Sequence, residues 1–164
     1  MTRIIELFAG WEEHNALLVS RLSPLTQEQL DWKPADNRDL WSIRMLACHI
    51  VAARAWWWKD WMDEGDDELK RLVTMDDDSE AERPDAATIC KALNKSWRDV
   101  KESLSRWTED DLTAKFQRPR PREDGTRPWR DRRFIIWHVA EHDIHHGGEI
   151  SLILGIHGEI GLDM

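Results

Sequence analysis

The chain has 164 residues, enough for one domain with a substantial core, and its formal net charge of −9 argues against nucleic acid or an anionic membrane as partner. Eleven tryptophans, no tyrosine, few Gly and Pro, and little Val/Thr alternation favour helices. No apolar run approaches the roughly 20 residues that span a bilayer, and Met1-Thr2-Arg3-Ile4 lacks a signal-peptide pattern, so a cytoplasmic protein is expected.

Residues 3–22 place Ile4, Phe8, Trp11, Leu18 and Leu22 at helical spacing, which predicts helix one as an amphipathic, core-facing helix. Ser23-Pro24 ends it, and Thr26-Gln27-Glu28-Gln29-Leu30 predicts a single turn capped by Thr26. After a loop over 31–37, helix two opens at Ser42 and is expected to run to about Glu64 through Met45, Leu46, His49, Ile50, Ala53, Trp57 and Trp61. The cluster Trp56-Trp57-Trp58 with Trp61 puts aromatics on more than one face, so some should line a cavity or meet another subunit. Residues 63–82 carry Asp63, Glu64, Asp66, Asp67, Glu68, Asp76, Asp77, Asp78, Glu80 and Glu82 against Lys70 and Arg71, and read as a solvated linker. Asp76-Asp77-Asp78 lacks the alternating ligands and glycine of a calcium loop.

Helix three is expected from Pro84-Asp85 to Trp107, followed by Thr108-Glu109-Asp110-Asp111-Leu112, which repeats the turn after helix one. A basic loop then sets Arg118, Arg120, Arg122, Arg127, Arg130, Arg132 and Arg133 among Pro119, Pro121 and Pro128, which favour extended backbone. Helix four follows to Leu154-Gly155, with Gly155 as its expected stop. Cys48 and Cys90 are isolated and read as small buried side chains.

Helix four carries four of the seven histidines in nine positions, His138, His142, His145 and His146. Residues four apart lie one turn above each other, so His138, His142 and His146 form a column with His145 beside it. An i, i+4 pair can reach one metal ion, and neutral imidazole is the commonest ligand for Zn, Ni and Fe(II). Burying unpartnered imidazoles on an apolar stripe is unfavourable, which favours a metal over packed histidines. A third ligand must come from elsewhere. The segment 46–52 can be laid over 135–141, as if one unit occurred twice, and this pairs helices two and four with His49 facing the column. From geometry alone the ligand pair could be His138 with His142 or His142 with His146.

The pattern Trp41-Ser42-Ile43-Arg44-Met45-Leu46-Ala47-Cys48-His49-Ile50, followed by His138-Val139-Ala140-Glu141-His142-Asp143-Ile144-His145-His146-Gly147-Gly148-Glu149-Ile150, resembles the DinB/YfiT-like metalloenzyme superfamily. The resemblance implies an all-α fold, a four-helix bundle with a long crossover between helices two and three, commonly dimeric. It also implies a divalent metal held by His49, His142 and His146, with Zn²⁺ expected first and Ni²⁺ or Fe²⁺ as alternatives. Members often follow the double histidine with Arg-Gly-Gln, where this chain has Gly147-Gly148-Glu149, so an arginine contact at that position is lost.

Three histidines leave open coordination positions, the mark of a catalytic rather than a structural site. Related branches look like thiol-dependent transferases and isomerases, which implies a low-molecular-weight thiol such as mycothiol or bacillithiol and an electrophilic small-molecule substrate. Glu141 and Glu149 are candidates for orienting imidazole N–H or moving a proton, or else solvent-facing carboxylates, and His138 is a neighbouring group or alternative ligand. Asp143 is expected on the outer face. Arg130, Arg132 and Arg133 could hold carboxylates of a substrate, or instead neutralise the acidic linker or a partner subunit. A second reading, of a different class, is a non-catalytic metal-binding, stress-response bundle whose Trp-rich surface makes an interface. A di-iron carboxylate site needs inward Glu sets that helices one and three lack.

Overall fold

The computed structural model describes residues 3–77 and 82–162. A 3₁₀ turn at Ile4–Phe8 leads into α1 (Ala9–Leu22), followed by the short α2 (Gln27–Leu30) and by α3 (Ile43–Ala55). The crossover holds α4 (Asp67–Arg71) and a 3₁₀ turn at Leu72–Thr74, and α5 (Ala86–Arg106) follows. Two strands, β1 (Lys115–Gln117) and β2 (Trp129–Asp131), precede α6 (Arg132–Ile156). Helix starts are fixed by local chemistry. Thr26 and Gln29 form a reciprocal capping box, and Ser42, Asp66, Asp85 and Asp131 each accept a hydrogen bond from the backbone N–H three residues on.

The core has two apolar halves. One gathers Leu18, Leu22, Ile43, Leu46, Ile89, Leu93 and Ile150, and the other gathers Trp11, Trp58, Trp97, Trp107, Ile135 and Val139. A buried polar layer lies between them, with one residue from each long helix. Arg54 of α3 donates to Asp143 of α6 at 2.7 Å, to Asn15 of α1 at 2.8 Å and to Ser96 of α5 at 3.3 Å. The Trp11 indole also donates to Asp143, at 2.5 Å.

Several expectations need correction. Helix two is not regular to Glu64: α3 gives way to a π-helical turn at Trp56–Trp61, whose extra residue per turn spreads the tryptophans. Trp58 and Trp61 enter the core while Trp56 and Trp57 stay half-buried. The linker is not merely solvated, since Asp66 caps α4 and pairs with buried Lys95 at 2.9 Å. Of its acids, Asp78 and Glu80 lie outside the described residues. The helical chain also includes an antiparallel two-stranded ribbon, Lys115–Gln117 on Trp129–Asp131, with Pro119, Pro121 and Pro128 in the connection between the strands. Gly155 lies inside α6. The stop is Gly158, at φ +82°, where Glu159 N–H bonds Leu154 C=O at 2.9 Å and Gly158 N–H bonds Gly155 C=O at 3.1 Å.

Candidate metal centre

α3 packs directly on α6, and the histidines lie along that seam. The metal-ligating atoms of His49, His142 and His146 all fall within 4.8 Å of one another. Ring centroids are 4.7 Å apart for His49 and His142, 5.0 Å for His49 and His146, and 4.4 Å for His142 and His146. Nε2 of His142 stands 3.0 Å from Nε2 of His49. Two lone pairs repel at that separation, so a proton or a cation has to lie between them.

Acids hold the far side of two of these rings. His49 Nδ1 is 2.7 Å from Asp76 Oδ2, and His146 Nδ1 is 2.6 Å from Glu149 Oε2. An ionised carboxylate only accepts, so each Nδ1 carries the hydrogen and each Nε2 keeps its lone pair. Burial pushes the His142 imidazole down to about 3, with like charge from His146 and His49 adding to it. Burial also lowers His146 and His138. His142, His146 and His138 are therefore neutral at pH 7, the form in which imidazole binds metal. His142 Nδ1 is buried with no hydrogen-bond partner. On donor chemistry and spacing, the three residues fit a divalent cation.

The other candidates are placed as follows. His138 lies one turn up α6, with its ring 6.2 Å from His142, stacked on Phe134 at 5.7 Å and edge-on to Trp57 at 4.9 Å. It is not part of the convergent three, and its Nδ1 is 3.8 Å from Glu141 Oε2. A second grouping, His145, His146 and Glu149, shares His146 and is more exposed. Arg132 is turned away to Glu64 at 3.4 Å and to the Asp111 carbonyl at 2.7 Å. Arg133 pairs with Asp131 at 2.7 Å, and Arg130 lies 4.6 Å over Phe134. Asp143 is fully buried rather than on the outer face, because Arg54 and Trp11 draw its carboxylate into the polar layer.

A pocket of about 310 Å³ opens beside the trio, with Trp56, Trp57, Val73, Asp76, Arg118, His49, His138 and His142 among its lining. Trp41 covers another side, edge-on to His49 at 4.8 Å and stacked near His146 at 5.9 Å. Trp41, Val73, Asp76 and Arg118 all escaped the sequence reading as site residues. Asp76 is one of many acids in the crossover and Arg118 one of seven arginines in a loop, so neither carries a local signal.

The DinB superfamily model matches residues 11–150. A DinB-like protein from Bacillus cereus ATCC 10987, known from its crystal structure, is similar over 100% of this chain and 99% of its own, with a TM-score of 0.64 and 21% identity. At that identity the likeness speaks to the fold. No curated protein matches the sequence.

Proposed function

The chain belongs to the DinB superfamily, and from that premise we propose that it is a four-helix-bundle metalloenzyme with one divalent cation held by His49, His142 and His146. The observation that carries this reading is the convergence of three imidazoles whose ligating atoms lie within 4.8 Å. Zn²⁺ is the first choice for a three-histidine set with open positions, with Ni²⁺ and Fe²⁺ behind it. Bound there, such an ion supplies a low pKa to a thiol or water that joins it. The activity that follows is transfer or isomerisation dependent on a low-molecular-weight thiol.

The chain's own residues do the rest. Asp76 and Glu149 fix the tautomers of His49 and His146 and keep Nε2 of each available. Trp41 limits water at the outer side of both rings. His138, neutral and on the pocket wall, is the imidazole outside the trio that can take up a thiol proton. The exposed side of α6, with Trp137, Ile144, Leu152 and Ile156, supports a homodimer. It also supports the second reading, a non-catalytic metal-binding interaction bundle.

Elemental analysis of untagged protein beside His49→Ala tests the metal. The reading expects a stoichiometry near one in the parent and a large loss in the variant. Equal metal in both would remove His49 from the ligand set. Turnover of a thiol with an electrophile by the loaded protein separates the enzyme from the non-catalytic bundle.

A further inference from the structure

The pocket beside the histidines contains a cationic group that the proposed metal site does not use. Arg118 follows β1 directly and is held rigidly by its surroundings. Its N–H donates to the Pro128 carbonyl at 2.9 Å, and its own carbonyl accepts from Arg127 Nε at 2.8 Å. Its side-chain Nε donates to the Arg120 carbonyl at 2.8 Å, and its Cζ lies 5.0 Å over the Trp56 ring. These contacts engage Nε, while among the described residues the two terminal nitrogens make no hydrogen bond to protein. Among the described residues no carboxylate lies within salt-bridge distance of Arg118. What sets Arg118 apart from the other arginines is its place: it is the arginine in the lining of this pocket, in a chain of net charge −9.

We propose that Arg118 reads a carboxylate on the ligand of this pocket, whose apolar body lies against Trp56 and Trp57 and whose other end faces His49 and His142. The assignment deepens the metalloenzyme reading by naming a substrate class, small organic anions with an apolar or aromatic body. The chemistry follows from the lining. A planar guanidinium with one face on an aromatic ring offers a two-pronged edge that matches a carboxylate. Trp56, Trp57 and Val73 give the apolar wall. The volume of about 310 Å³ sits at the small end of ligand pockets, which suits a small ligand.

The experiment compares phenylacetate with its neutral isostere phenylacetamide, titrated calorimetrically into the full-length protein and into Arg118→Gln, Arg118→Lys and His49→Ala. The parent is expected to prefer phenylacetate by about tenfold or more, the ratio one charge-assisted hydrogen bond supplies. Arg118→Gln, at a half-buried position just past β1, should stay folded and lose the preference, and Arg118→Lys should keep part of it. A parent that binds the two equally, or an Arg118→Gln variant that retains the preference, overturns the assignment. Metal analysis of the same samples keeps the two readings apart. An Arg118-dependent preference in protein that binds no metal supports the anion site and removes the metal centre alone.

Discussion

Asp76, from the crossover after α4, places its carboxylate 2.7 Å from Nδ1 of His49 on α3, so a loop acid orients a helix imidazole. Outer acids of this kind raise ligand basicity and fix the ring, and losing one weakens metal affinity about 10- to 100-fold. Asp76→Ala is therefore expected to bind Zn²⁺ about 10- to 100-fold more weakly than the parent in a competitive chelator titration. Asp76→Glu should recover part of the loss. Unchanged affinity would make the contact incidental.

Gly147 is set by His14. A Cβ at position 147 would stand 2.5 Å from His14 Cε1 and 2.7 Å from Nε2, and the His14 ring is buried against α6. Gly147→Ala is expected to cost about 1–3 kcal/mol, the usual price of overpacking a core, read as a shift in urea midpoint. His14→Ala should relieve much of that cost in the double variant.

The Arg54–Asp143 pair is fully buried on both sides. Burial pushes the Asp143 carboxyl up, and Arg54 and the Trp11 indole pull it back. Removing the acid leaves a buried guanidinium with neutral partners only, a change that costs about 3–5 kcal/mol. Asp143→Ala should lose that much stability by chemical denaturation, and a loss under about 1 kcal/mol would show that water reaches Arg54.

Acid should destabilise the metal-free protein before its carboxylates titrate. His14, His138, His142 and His146 are all lowered, chiefly by burial, with His142 at about 3. Unfolded, each takes a proton near 6.5, so the unfolded chain binds more protons below that pH and stability falls as pH drops from about 6.5 toward 3. Melting temperatures in chelator between pH 7.5 and 5 are expected to decline. A flat profile would mean that the rings are solvated.

How legible the molecule was in its sequence depends on how local each signal is. Thr26, Ser42 and Asp85 announced their helices because capping involves three neighbouring residues. The side-by-side placement of the helices bearing His49 and His142 was also readable, from the similarity of 46–52 to 135–141. The position of Asp143 was not. α6 buries Ile135, Val139 and Ile150 but exposes Trp137, Ile144 and Leu152, so no solvent side stands out, and the acid's burial depends on Arg54, 89 residues away. Asp76 and Arg118 depend likewise on how a crossover and a ribbon fold back.

The π-helical turn at Trp56–Trp61 gives the chain a vernier. Excising one residue there would let regular α pitch continue with the helix on either side in its present register, and only the side chains of the turn itself would change face. Trp56 would then leave Arg118, Trp58 would leave the interior, and the histidine seam would survive without its neighbouring wall. Length variation at this one turn offers a route by which related chains could keep the same imidazoles and admit different guests.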